Sequence, residues 1–323
     1  MPRRKREVVG EVRAADVVHC YGLYNLLCPL AARLSFRAGV PFVLEPMGMF
    51  VPRERSLFSK RIYNSTLTKW MAKHASAIVA TSELEANELR ELASPIKLVV
   101  RPNGIDLDEF ENLSGGEAMR QRWRVQADDT LVLYFGRISS KKNLHDLVSA
   151  FAMADIPHAK LIIAGPVSES HYKRRLAHQI RASPRCKDIR LEEPLYGEEL
   201  KAALDAADMF VLPSLNENFG NAAGEAVAAG VPVLLTESCG IAPLIHKRAG
   251  LAVPLGIDSL AAGLRTMADS EKRMALVAKR EDVKRELSWE QPVAQTEQLY
   301  EEIISGHSRR WTESVPDRTE ETR

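Results

Sequence analysis

Two carboxylates and two cations in this chain have the types and spacing to handle a phosphorylated ligand. Glu217 and Glu225 stand with seven residues between them in the stretch NENFGNAAGE, Asn216 to Glu225. The short apolar run MFVLPS (209–214) precedes it. AVAAG and VPVLL follow, the rest of a helix stopped at Gly230 and then another strand. Gly220 lets the backbone approach a ligand closely, and the first turn of the following helix offers unpaired N–H groups to an anion. A carboxylate in that helix can accept hydrogen bonds from ribose hydroxyls, and one on the loop sits near whatever leaves the phosphate. Arg137 and Lys142 are five positions apart in GRISSKKN, with Lys141 beside them and a helix beginning at Asn143. A guanidinium fork, an ammonium and free helix N–H groups make a diphosphate cradle. A third turn, ESCGIAP (237–243), adds a small-residue approach at Gly240. Taken singly, the first is also a polar strand-to-helix loop and the second a solvated basic loop.

The elements that must position these turns follow a β-then-α alternation, which predicts parallel sheets covered by helices on both faces. In the first third, strands are expected at 16–20, 41–45, 76–81 and 96–101, with helices around 24–38, 56–73 and 82–92. PNGIDLDEFENLSGGEAMRQRW reads as a turn and a polar linker. Further strands are expected at 130–135, 159–165, 188–193, 209–214, 231–235 and 250–255. All three unusual turns then fall at the carboxyl edge of the second sheet, where open α/β folds bind ligands. The expected division is a first domain over 1–108, a second domain over 109–287, a helix over 288–305 crossing back to the first domain, and a disordered tail over 306–323. The tail lacks apolar periodicity.

Length and composition narrow the function classes. At 323 residues the chain can bury two cores, and 45% apolar with 27% charged residues describes an ordinary globular protein. A net charge of +1 creates no overall field favouring nucleic acid. The four cysteines, Cys20, Cys28, Cys186 and Cys239, are scattered and read as reduced thiols with a packing role. No apolar run reaches the length of a spanning helix, and the basic start lacks the hydrophobic segment of a secretory signal. No acidic D-x-D site directly follows a strand and the eight histidines are dispersed, so no metal site is expected.

The joint order of these motifs resembles glycosyltransferase family 4, the retaining nucleotide-sugar transferases of GT-B architecture. The matching stretches in the second half are GRISSKK, LIIAG, LDAADMFVLPSLNENFGNAAGEAVAAGVPVLL and SWEQPVAQTEQLYEEI. DVVHCYGLYN, EPMGMFVP, ATSELEANEL and RPNGIDLDEF match in the first, so the likeness covers roughly 16–305. It implies two Rossmann-like doubly wound domains, the N-terminal one incomplete because the chain begins after the family's first strand and Gly-rich loop. By the same resemblance Arg137 and Lys142 neutralise the donor diphosphate without a metal. Glu217 lies against the transferred sugar as the catalytic carboxylate, and Glu225 holds the ribose. Asn218, Phe219, Gly220 and Asn221 touch sugar hydroxyls and phosphate. No cofactor is implied, and the nucleotide-sugar donor is a substrate. The acceptor is a glycan or a lipid-linked glycan, and the setting is polysaccharide or glycolipid synthesis in the cytoplasm, at the inner membrane face.

Two departures bear on activity. Where many family members have His-Gly after the second strand, this chain has Met47–Gly48, and a thioether cannot supply the imidazole's hydrogen bond. With the missing start, this supports an alternative: a catalytically impaired relative that binds nucleotide-sugar without efficient transfer. His19 reads as a structural strand-end residue, and Tyr21 and Tyr24 as packing residues. PRERSLFSKR (52–61) is the candidate membrane contact, HYKRRLAHQIR (171–181) a solvated helix face, and Ser82 with Glu85 a capping box.

Overall fold

A computed structural model describes residues 2–51, 57–92 and 97–314. The chain forms two compact units: residues up to Pro102 together with those from Glu290 on, and Asn103–Trp289.

The first unit carries four parallel strands, β1 (Val18–Tyr21), β2 (Phe42–Glu45), β3 (Ala77–Ala80) and β4 (Leu98–Val100), side by side in chain order. Strand residues alternate between faces, and the sequence uses both. Phe42, Leu44, Ile78 and Ala80 face one core with Ala32, Met71 and Leu89 from the helices. Val43, Ala77 and Val79 face the other, where Leu299 and Ile303 of the helix Glu290–Ser314 cover them. That helix is longer than its sequence suggested. It runs through Gly306 to Ser314, so the tail is helical in its first part, and 315–323 lie outside the described residues. Its one proline, Pro292, lies in the first turn, where no intrahelical N–H bond is lost, and one interior glycine costs only about 1 kcal/mol. An unexpected helix, Pro2–Ala14, opens the chain, and its Val8, Val9 and Val12 form the covered stripe.

The second unit carries β5 (Thr130–Phe135), β6 (Ala159–Ala164), β7 (Ile189–Glu192), β8 (Met209–Leu212), β9 (Val233–Thr236) and β10 (Gly250–Val253). They form one parallel sheet in the order β10-β9-β8-β5-β6-β7. β5, β6, β8 and β9 are almost wholly buried along their length, as strands covered on both faces must be. The chain leaves β5 to one side for β6 and β7, then returns to the other side for β8. The loops after β5 and β8 therefore diverge from adjacent strand ends, which opens a crevice at this reversal of strand order.

The linker expectation is corrected. The boundary falls after Pro102, and the segment beyond it belongs to the second core. Phe110, Met119 and Trp123 are buried there. Gly116 closes against the helix Gly197–Ala206, its N–H donating to Asp205 at 2.8 Å. The polar residues that made this stretch read as a linker occupy only its outer side.

Candidate functional site

The loop after β5 is fixed by backbone contact. Gly136 donates to the carbonyl of Ala164 at 3.1 Å. A Cβ on Gly165, at φ +153°, would stand 1.8 Å from the Gly136 oxygen, so only glycine lets the two turns meet. The buried Tyr134 hydroxyl donates to the Arg137 carbonyl at 2.9 Å. The Arg137 side chain is left exposed, with no ion-pair partner among the described residues. A short 3-10 turn, Ser140–Lys142, and Asn143 at φ +55° then turn the chain into the helix Leu144–Ala154. This turn folds Lys142 inward to 9% exposure.

Lys142 Nζ and Glu217 Oε2 form an ion pair. Ser214 Oγ donates to the same carboxylate oxygen at 3.2 Å. Main-chain bonds set the loop that carries Glu217. Leu215 N–H donates to Lys141 O at 2.9 Å, Glu217 N–H to Ser238 O at 3.0 Å, and Gly240 N–H to Glu217 O at 2.9 Å. Thr236 and Ser238 hydroxyls both donate to the Ser214 carbonyl, at 2.6 and 2.8 Å. The ends of β5, β8 and β9 thus hold one carboxylate in one place, with its charge compensated by an ammonium. Burial, then the nearby Glu217 charge, pushes the Tyr134 phenol well above its ordinary range. Burial raises the Cys239 thiol to about 12, so this residue is a packing thiol and not a nucleophile.

Beyond Glu217 the loop passes half-buried Asn218 and buried Phe219 to Gly220, at φ +113°. A Cβ on Gly220 would press on Ile241 Cγ2 at 3.1 Å. The helix Asn221–Ala228 begins here. Its first bonds run from Ala223 and Gly224 to the Gly220 carbonyl, which leaves the amides of Asn221 and Ala222 ahead of the ladder. Asn221 is exposed, and Asn103 Nδ2 donates to its Oδ1 at 3.0 Å. Glu225, half-buried on the same helix, has its carboxyl raised by burial and then by the charge of Glu109.

The structure therefore brings Lys142 and Glu217 into direct contact. It sets Gly220 and Asn221 at the helix start and leaves Arg137 on the same sheet edge with its side chain free. Sequence reasoning missed Ser214 and Glu109. Ser214 had a signal, a hydroxyl three residues before a loop carboxylate; Glu109 had none. Among the described residues no cluster of three or more His, Cys, Asp or Glu could hold a metal ion.

The matches to known proteins fit this geometry. The family model of glycosyl transferases group 1 matches residues 116–283, just over half of the chain. The chain belongs to this family. A second model, a glycosyl transferase 4-like domain, matches residues 1–104 of this group 1 glycosyltransferase. A GDP-mannose:cellobiosyl-diphosphopolyprenol alpha-mannosyltransferase of Xanthomonas campestris is 29% identical over 84% of this chain and 67% of its own length. A D-inositol 3-phosphate glycosyltransferase of Kineococcus radiotolerans is 32% identical over 64% of this chain and 52% of its own. Among solved structures, Anabaena HepE in complex with UDP and glucose superposes with a TM-score of 0.77 at 22% identity, covering 93% of this chain and 81% of that one. Sucrose-phosphate synthase from Thermosynechococcus elongatus gives 0.73 at 24%, covering 90% and 74%. These likenesses show the GT-B fold.

In the first unit of the group 1 glycosyltransferase, His19 is held by neighbouring side chains. His19 Nδ1 lies 2.6 Å from the Tyr300 hydroxyl and Nε2 lies 3.3 Å from Glu45, which Arg101 also holds at 2.6 Å. Tyr21 stacks on the His19 ring at 4.0 Å. Met47 sits at φ +54° and is 42% exposed. The Glu85 N–H donates to Ser82 Oγ at 3.2 Å, one half of the expected capping box, but its carboxylate accepts from the N–H groups of Gly48 and, at 2.9 Å, Thr81 instead of returning to Ser82. Of the candidate membrane contact 52–61, residues 52–56 lie outside the described ones. The 171–181 cluster lies on the helix Ser170–Ala182, which buries only Tyr172, Leu176 and Ile180.

Proposed function

We propose that this group 1 glycosyltransferase moves a hexosyl group from a nucleoside diphosphate donor to an acceptor hydroxyl, with retention and without a metal. The observation that carries the reading is the Lys142–Glu217 pair, set at the reversal of strand order beside an unladdered helix start. An arriving diphosphate takes the Lys142 ammonium, the Arg137 fork and the leading amides of Asn221 and Ala222. Glu217 is then released to the sugar's hydroxyls, while Glu225 accepts from the ribose. The bond from the anomeric carbon to the diphosphate oxygen breaks, the acceptor oxygen bonds on the same face, and its proton passes to the departing phosphate. Fixed positive charge around the leaving group stabilises the charge that develops there, and positioning supplies the rest.

The names of the relatives, one using GDP-mannose and a diphosphopolyprenol acceptor, support a lipid-linked or glycan acceptor in polysaccharide or glycolipid synthesis. Exposed Leu26, Leu27, Leu30, Phe58 and Ile62, with Lys60 and Arg61 nearby, support contact with the cytoplasmic membrane face. No helix among the described residues is long and apolar enough to cross a membrane. Met47, in the place where the family resemblance expects an imidazole, favours a second reading, a protein that holds nucleotide-sugar and transfers poorly. Proton NMR of the product formed from α-linked UDP- and GDP-hexoses, with and without EDTA, separates the possibilities. The proposal expects an α-product and no effect of EDTA. A β-product or loss of activity with EDTA overturns it, and donor binding without product selects the second reading.

A further inference from the structure

A second basic cavity lies in the same unit, away from the Lys142–Glu217 turn. It encloses about 310 Å³ and is lined by Trp123, Arg124, Lys160, Ile162, Lys187, Asp188 and Arg190. The register explains how the cations meet. Ile162 of β6 stands beside Arg190 of β7, and Lys160 shares the Ile162 face of β6. Arg124 reaches the cavity from the end of the helix Gly116–Trp123, where it takes the left-handed conformation at φ +57°. Lys160 and Asp188 lie at the amino ends of their strands, whereas the Lys142–Glu217 turn lies at carboxyl ends. In a parallel sheet these are opposite edges.

A basic edge strand discourages sheet-to-sheet pairing, and that alone accounts for Arg190. It does not account for the remaining features. The one carboxylate, Asp188, is taken by Lys160 and by Arg185, each at 2.7 Å, which hold it below the ordinary carboxylate range against the effect of burial. Arg190 donates to the Arg122 carbonyl at 3.4 Å and stands 3.7 Å from Glu192. Arg124 and Lys187 have no partner among the described residues. The cavity also has an apolar floor, and Trp123, only 2% exposed, has an indole N–H with no acceptor. Two unpartnered cations beside a cavity of this volume describe a site for a small anion with a carbon skeleton. The volume is that of a small-molecule pocket at the lower end of the usual range.

We propose that this cavity is a second binding site, for a phosphate monoester of hexose-phosphate size. The phosphate sits among Arg124, Lys187 and Arg190, and the carbon skeleton fills the rest of the cavity. The site is independent of the donor turn.

Calorimetry on the full chain with a hexose 6-phosphate tests this, using vesicles containing phosphatidic acid as the other phosphate source. Arg124→Ala/Lys187→Ala removes exposed side chains without touching the core, and circular dichroism checks its fold. Saturable one-to-one binding is expected. The double variant should weaken it at least about tenfold, while Lys142→Ala and saturating nucleoside diphosphate should leave it unchanged. Equal affinity in the double variant, competition by nucleoside diphosphate, loss in Lys142→Ala, binding to vesicles alone, or no saturation overturns the proposal.

Discussion

The Lys142 ammonium closes on the Glu217 carboxylate across 75 residues of sequence. The contact depends on strand order: β5 and β8 are neighbours although three strand-to-helix connections separate them. Both partners are mostly buried, at 11% and 17% side-chain exposure, so each is the other's main compensation when no ligand is present. A diphosphate must replace Glu217 at the ammonium, and that exchange gives the first test.

Lys142→Ala should weaken UDP or GDP binding by about 1.5–3 kcal/mol, the worth of one hydrogen bond to a charged group. It also leaves Glu217 uncompensated beside the incoming anion. The double variant Lys142→Ala/Glu217→Gln should therefore bind more tightly than Lys142→Ala alone. Calorimetry over this double-mutant cycle reads the coupling directly. Additive effects would show that the two groups do not share the ligand.

The two carboxylates should separate kinetically. Glu217→Gln loses a contact that strengthens as the sugar departs, so kcat should fall by about a hundredfold with little change in KM. Glu225→Gln loses a ribose contact made equally in ground and transition states, so KM should rise while kcat holds. Steady-state rates on any accepted donor check this, and exchanged effects would reverse the roles.

Much of this arrangement was legible in the sequence because parallel strands buried on both faces must be short apolar runs. TLVLYF, AKLIIA and MFVL are therefore strands wherever they fall. Turn residues with special backbone needs, Gly220 above all, were visible for the same reason. Pairing across the sheet was not legible, since nothing local to Lys142 says that β8 lies beside β5. The segment 105–123 was misread because Phe110, Met119 and Trp123 are scattered among charged residues, and only tertiary burial picks them out. Glu109, whose charge acts on Glu225, escaped notice on the same account.

Glu225 gives a signed pH effect. Its carboxyl is raised in the folded state by burial and then by Glu109. Between the ordinary value of 4.5 and that raised value the native state binds more protons than the unfolded chain, so stability falls as pH rises through this window. Urea midpoints from pH 4 upward should show the wild type losing stability relative to Glu225→Gln across the window. Parallel curves would remove the burial argument.

Backbone contact between the turns after β5 and β6 should be intolerant of a methyl group. Gly165→Ala places a Cβ against the Gly136 carbonyl and should cost about 3 kcal/mol. It should also loosen Arg137, whose loop is set by that contact. Gly197→Ala, at φ +51° with open space around it, should cost less. Denaturant midpoints that rank the two in the opposite order would contradict the close approach.

The helix Glu290–Ser314 should govern the stability of the first unit. Leu299→Ala removes a side chain that covers Val43, Ala77 and Val79, and should cost about 2–5 kcal/mol. Amide exchange should quicken over β2 and β3 before it does over β5 and β6. Uniform quickening in both units, or none, would mean that this helix is not what closes that face.

The most direct test is a crystal structure of the full chain with a bound nucleoside diphosphate. The expected result places the diphosphate within hydrogen-bonding distance of Lys142 Nζ and the Asn221 amide, with Arg137 turned onto it and the ribose hydroxyls on Glu225. A diphosphate bound elsewhere, with Lys142 still paired to Glu217, would contradict the assignment of this turn as the donor site.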